Sequence, residues 1–478
     1  MRIKFLSVII AATSLGVTIS AQQSGSAHAT HHQYKLIDLG TFGGPTSIIF
    51  GATGPLNNFG EVTSCADTTA PDSYAPNGNP YFGGDPFIQH AFLWKHGVLG
   101  DLKPLPKGRG SCGQWINDWG VVVGAAENGT IDPLTGYPSA VATRWEHGKA
   151  LALGSLGGPE SVAWAINNRG QIAGGATTEL ADPFPSGVFG SGENQIHAFF
   201  WQNGYLKDLG TLGGPDSQGF YINDRGEVAG LSYIDSTINP NTGFPDVHPF
   251  LWKSGHMIDL GSLGGGFGAP NAVNTLSEVV GQSNLAGDQT GHPFLWRRGA
   301  LIDLGTLGGA GGIANWINDS SEIVGTADLA DQTHHAFVWR NGKMIDAGAV
   351  GTDPCSNGVS INSFGLATGT STDCHGNVLH LFLWEHGTIT DLSALIRPGS
   401  DMIFNDPVMI NDRGEIAGNG VLPDGSVHAA LLVPDGDCDE KCEARIATGT
   451  VLTRPRLATK EMNSALNPAE RSRRVRPR

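Results

Sequence analysis

The chain has 478 residues and a net charge of −16, with only 15% of its residues charged. Lys and Arg are too few, and outside the C-terminal end too scattered, to track a phosphate backbone, which excludes a nucleic-acid footprint. Gly at 69 residues, with frequent Asn, Asp and Pro, favours many short strands joined by tight turns over a helical fold.

The N-terminus reads as a secretory signal peptide. Arg2 and Lys4 precede an apolar run from Phe5 to Ile19, and small residues follow at Ser20 and Ala21, where cleavage fits best; Ala27-His28-Ala29 is a second candidate. The run falls short of the roughly 20 residues that span a bilayer, and no later segment qualifies. Residues 1–29 are therefore expected to be a leader, residues 30–434 one repetitive body, and residues 435–478 a disordered basic tail ending in RSRRVRPR. The protein is expected outside the cytoplasm, secreted or periplasmic, without a membrane span.

The body repeats one phrase. HAFFWQNGYLKDLGTLGGPDSQGFYINDRGEVAG begins at His197, and near copies begin at His248 and His292. Each unit holds four apolar segments of strand length, and none sustains a helical period. Turn signals separate them. Q-N-G, R-N-G or K-S-G stands between the first two segments, and N-D-R-G or a variant between the last two, with glycine supplying the positive φ of a hairpin turn. Ser277 and Ser321 replace that glycine in two units, whose turns should be strained or differently shaped.

The Asn that opens this turn recurs as Asn57, Asn117, Asn167, Asn223, Asn274, Asn318, Asn362 and Asn411. Eight units of four strands predict an all-β fold, a β-propeller of eight four-stranded blades. The repeats open at Tyr34 with the second segment of a unit and finish at His428 with the first. That offset suits a ring closed by pairing the N-terminal strand with the last blade, whereas an open solenoid would carry a polar cap at each end.

Spacing supports the closure. His90, His197, His248, His292, His335 and His380 are each followed eleven residues later by Asp101, Asp208, Asp259, Asp303, Asp346 and Asp391. The seventh, His428, finds its Asp in Asp38 at the other end of the chain. The unit that lacks the histidine has Val141 and Ala152, so both partners are missing together. The pairs read as structural staples across a hairpin, and the tryptophans of the same segments, Trp201 and Trp252 among them, as packing between blades.

The ordered words HAFLW, DLG, LGG, IN and VVG resemble the extracellular HAF repeat of exported bacterial proteins, and the likeness covers nearly all of residues 34–433. The resemblance implies an exported protein and supplies no catalytic residues. Members often end in Pro-Glu-Pro, a membrane helix and a basic cluster; this chain has the basic end without the apolar helix.

By analogy with WD-repeat propellers, the S-x-A-x-x-I-N strand is innermost and the DLG strand outermost. The LGG loops and the loops before each histidine then share one face, and on that face the first four units carry long insertions. Tyr74, Tyr81, Phe82, Tyr137, Phe184 and Phe189 in these insertions are expected to be exposed and to offer stacking surfaces to a polysaccharide or a protein partner.

Six cysteines in an exported chain are most simply disulfides. The turn at Asn362 brings Cys374 to the end of the hairpin where Cys355 stands; Cys65 and Cys112 would tie units 1 and 2, and Cys438 and Cys442 would close a small tail loop. No catalytic residue, metal or cofactor is expected. The sequence favours a monomeric, non-enzymatic binding or scaffold protein with an extracellular protein or polysaccharide as partner; the alternative is a polysaccharide hydrolase or lyase on the same scaffold.

Overall fold

The computed structural model describes residues 32–437 except residues 52, 76–85, 186 and 190–193. The leader, the tail with Cys438 and Cys442, and the loop with Tyr81 and Phe82 lie outside the described residues. The chain is all-β, and each repeat is four antiparallel strands in sequence order. In the third they are Gly157–Ile166, Ile172–Ala181, Asn194–Gln202 and Tyr205–Gly210. Six sheets have four strands; a seventh has eight because two such sets meet at one parallel bridge, Val247 to Phe267. The fold is that of a β-propeller, and each set is one blade.

The final set draws its strands from both ends of the chain. Ile403–Ile410, Ile416–Val421 and Val427–Asp437 pair in order, and the outer strand is His32–Asp38, with Leu36 opposite Leu432 and Asp38 opposite Ala430. Asp38 reaches His428 Nδ1 at 2.9 and 3.0 Å.

Local turn chemistry sets each hairpin. Between the third and fourth strands two consecutive residues have positive φ, Asn203 at 52° and Gly204 at 85° for example, the twist-matched two-residue turn. Between the first and second strands the Asn side chain organises the turn. Asn223 Oδ1 accepts from the amides of Arg225 and Glu227, both at 3.0 Å, and Nδ2 donates to Glu227 Oε2 at 2.7 Å. The same Nδ2 donates to the Asn274 carbonyl of the next blade at 2.9 Å.

This last bond recurs at every blade. Asn57 donates to the Asn117 carbonyl, Asn117 to Asn167, Asn167 to Asn223, Asn274 to Asn318, Asn318 to Asn362 and Asn362 to Asn411. Asn411 then donates to the carbonyl of Asn57 at 2.9 Å. Eight buried side chains thus form a cycle of hydrogen bonds that passes across the seam between the chain ends. Aspartate could not replace them, because the cycle runs through the amide donors.

Ser277 and Ser321 adopt the same left-handed backbone as the glycines they replace, with φ of 64° and 61°. The expectation of strain is met, but the turn shape is unchanged. Their hydroxyls donate to Glu227 and Glu278 of the preceding blade at 3.0 and 2.6 Å. At Gly120 and Gly365 the equivalent carboxylate closes on the glycine itself, within 2.9 and 2.8 Å of where a Cβ would stand.

The core lies between blades. Trp201, 7% exposed, packs with Ile166, Ile172 and Phe199 of its own blade and with Val121, Val123 and Leu153 of the one before. Six of the seven histidine staples form as the spacing predicts, at 2.9 to 3.1 Å. The exception is a correction. His380 bonds Asp353 at 2.7 Å, because Asp391 instead accepts from the Ala394 amide and caps the short helix Leu392–Leu395.

Candidate functional site

The two faces of the ring carry different chemistry. The face formed by the Asn turns encloses a central cup of about 280 Å³. Its wall is the apolar residue before each Asn, Ile116, Ile166 and Ile317 among them, with the Asn cycle above. At its floor Trp115 and Trp316, from blades 2 and 6 on opposite sides of the ring, stack at 6.3 Å with 20° between planes. Tyr221 meets Trp115 edge-on at 6.3 Å.

The rim is the residue after each Asn, and there the blades alternate. Asp118, Asp224, Asp319 and Asp412 stand on even blades, and Asn58, Asn168, Thr275 and Ser363 on odd ones. Each carboxylate is held by the amide of the odd residue before it, at 2.8 to 3.0 Å. The residue two before each Asn alternates in step: Trp115, Tyr221, Trp316 and Met409 on even blades, Pro55, Ala165, Ala272 and Ser360 on odd ones. Large side chains from every second blade can share the narrow axis only if those between them are small. Sequence reasoning placed no site here, although the Asn, Asp, Asn, Asp alternation was the signal that could have found it.

The opposite face holds the insertions. Cys65–Cys112 and Cys355–Cys374 are disulfide-bonded, the first joining blades 1 and 2 and the second spanning one hairpin. Tyr74 and Tyr137 meet edge-on at 6.2 Å, and the Arg109 guanidinium lies over Tyr74 at 5.1 Å while its Nη2 donates to Asp72. Both tyrosines are half-buried. Phe189 corrects the expectation of exposure: it is buried 4.7 Å from Tyr233, and Phe184 packs on the same ring at 5.8 Å, because the Tyr233 hydroxyl accepts the Val188 amide and draws the loop inward. Two insertions share a segment, DPLTGYP from Asp132 and NPNTGFP from Asn239, and both form the same turn, with Gly136 and Gly243 donating to the carbonyls of Asp132 and Asn239 at 2.8 Å.

Carboxyl groups meet where insertions touch the next blade. Burial and the nearby Asp132 push Glu160 up to about 7. Burial pushes Asp216 up to about 7 as well, with Asp182 adding to the rise and the Ile196 amide, 2.8 Å from Oδ1, opposing it. A carboxyl raised in the fold stays protonated where the unfolded chain has ionised, so its stabilising share is full below about pH 4 and is lost as pH rises through 7. Asp216→Asn, which keeps the acceptor for Ile196, should raise stability at pH 8 by on the order of 1–3 kcal/mol and leave it nearly unchanged at pH 4. Urea unfolding at the two pH values checks this.

Among the described residues no group of three or more His, Cys, Asp or Glu is arranged to hold a metal ion, and no helix is long and apolar enough to cross a membrane. No family model and no curated protein matches the sequence. Solved structures to which the chain is similar include the β-propeller domain of the Trilobed protease from Pyrococcus furiosus, 9% identical over 77% of this chain and 100% of that one, with a TM-score of 0.40. Kuenenia stuttgartiensis hydrazine synthase is 10% identical over 62% of this chain and 45% of its own, with a TM-score of 0.34. The tricorn protease is 9% identical over 72% of this chain and 34% of its own, with a TM-score of 0.28.

Proposed function

We propose that the chain is an exported HAF-repeat protein, a closed eight-bladed β-propeller that acts without catalysis by binding an extracellular protein or polysaccharide on its insertion face. One observation carries the reading: the insertions of the first blades are tied to the scaffold and to one another before any partner arrives. Cys65–Cys112 joins blades 1 and 2, Arg109 of blade 2 holds both Asp72 and Tyr74 of blade 1, and Tyr74 packs on Tyr137. Loops ordered in advance lose little conformational freedom on binding, which is how a rigid scaffold becomes a recognition surface. The disulfides and the leader support export.

A glycan array and a pull-down from culture medium with the mature chain test this. Saturable binding that weakens in Tyr74→Ala and Tyr137→Ala, with unchanged melting temperature, is expected; binding indifferent to both variants counts against the insertion face.

The hydrolase or lyase reading has one observation in its favour, the placing of Asp216, whose carboxyl burial pushes up to about 7, beside Asp182, since a proton donor and a carboxylate side by side are the parts of acid–base chemistry. Polysaccharide cleavage lost in Asp216→Asn would favour it over the binding protein.

A further inference from the structure

We propose that the second and third insertions are clamped to the next blade by pairs of carboxyl groups that share a proton, so that the insertion face is held closed in acid and released above neutral pH. The four insertions begin alike, which makes their joints comparable. Asp72, Asp132, Asp182 and Asn239 stand at the foot, and each Oδ1 accepts the amide two residues on, at 2.7 to 3.1 Å. What each one faces differs. Asp72 takes the Arg109 guanidinium at 3.1 Å, and Asn239 turns its Nδ2 to Asp246 at 2.7 Å and to Asp288 of blade 5 at 3.3 Å. These two joints set an acid against a cation or an amide and need no proton. Asp132 and Asp182 instead face Glu160 of blade 3 and Asp216 of blade 4, acid against acid.

Both partner acids are buried, Glu160 at 5% exposure and Asp216 at 1%. Asp216 Oδ1 accepts the Ile196 amide at 2.8 Å, while Oδ2 is buried and, among the described residues, receives no hydrogen bond from an amide or hydroxyl. The Asp182 carboxyl lies within hydrogen-bonding reach of Asp216, and two carboxyls bond only when one of them keeps its proton. Two other titratable groups face this pair: Tyr233, whose hydroxyl accepts the Val188 amide at 3.0 Å, and His197, stapled to Asp208 on the third strand of blade 3. Burial raises the Asp216 carboxyl to about 7; the Ile196 amide and His197 oppose the rise, and Asp182 adds to it. Glu160 reaches about 7 through burial and Asp132.

Docked, each pair keeps a proton that the separated carboxyls give up to solvent in the ordinary carboxylate range. Docking therefore weakens as pH climbs from about 4 to about 7, and it stays weak above. Release of the third insertion uncovers Phe184 and Phe189, which pack on the Tyr233 ring at 5.8 and 4.7 Å, and release of the second parts Tyr137 from Tyr74. The aromatic surface differs between acid and alkali. The effect on binding rests on the insertion face being the recognition surface, whereas the release itself does not.

Hydrogen exchange of the full chain without a partner, at pH 5 and pH 8 and corrected for the intrinsic pH dependence of amide exchange, tests the release. The amides of Phe184, Val188 and Ile196 should lose protection roughly ten- to a hundredfold at pH 8, and Leu134 likewise, while Asn241 at the foot of the fourth insertion keeps its own. Asp216→Asn should make protection of the third insertion equal at the two pH values and leave the second responsive; Glu160→Gln should do the reverse. Asp182→Asn, which keeps the acceptor for Phe184 and offers Asp216 a donor, should match Asp216→Asn. Equal protection at both pH values in the parent, or a response of the third insertion unchanged by both Asp182→Asn and Asp216→Asn, overturns the proposal. Release with no partner bound at either pH leaves it standing and counts against the binding reading alone.

Discussion

Asn223→Asp is expected to destabilise the protein by about 3–5 kcal/mol at neutral pH, the range for an uncompensated buried charge. The substitution keeps the Oδ1 that accepts from Arg225 and Glu227, so the turn itself has no reason to change. It replaces Nδ2 with an oxygen 2.7 Å from the Glu227 carboxylate and 2.9 Å from the Asn274 carbonyl, turning two attractions into two repulsions in a buried place. Acid should relieve part of the loss by protonating one carboxyl. Adding Glu227→Gln should restore part of it at pH 7, since blade 3 already pairs Asn167 with Gln171 at 2.8 Å. Urea denaturation of the single and double variants measures both effects; a single variant as stable as the parent would mean that the amide cycle contributes nothing.

Deletion of residues 30–42 should cost more. Tyr34 and Leu39 are each 3% exposed and belong to two separate core clusters, one shared with Leu392 and Leu395, the other with Val62 and Phe92 of blade 1. Their loss with that of Leu36 and Ile37 removes apolar burial on the order of 5–10 kcal/mol. The deletion also strips Val427–Asp437 of its outer neighbour and opens an edge able to pair with another molecule. The expected result is a melting temperature lower by ten degrees or more, with concentration-dependent association on gel filtration. An unchanged melting temperature would contradict the closure.

The repeat was legible because most of its structure is local. Each Asn turn bonds itself, five of the His–Asp pairs span one short hairpin, and the offset between Tyr34 and His428 states that one unit is split between the ends. Cys355 and Cys374 were readable for the same reason: one turn sets both positions. Other features that depend on a neighbour were not readable. His380 takes Asp353 because a short helix claims Asp391, and nothing in the eleven-residue spacing announces that helix. Phe189 turns inward because Tyr233, 44 residues away, binds the loop backbone. The cup was missed because no blade contains it: Trp115 and Trp316 lie 201 positions apart and meet only when blades 2 and 6 face each other across the axis.

Hydrogen–deuterium exchange of the chain tests most directly the claim that the two ends form one blade. If His32–Asp38 is the outer strand of the last blade, peptides covering residues 34–39 should exchange as slowly as the outer strands of interior blades such as Tyr205–Gly210, and Val427–Asp437 as slowly as Asn194–Gln202. Exchange of residues 34–39 within seconds, with the interior outer strands protected, would show a free N-terminal arm and contradict the closed ring.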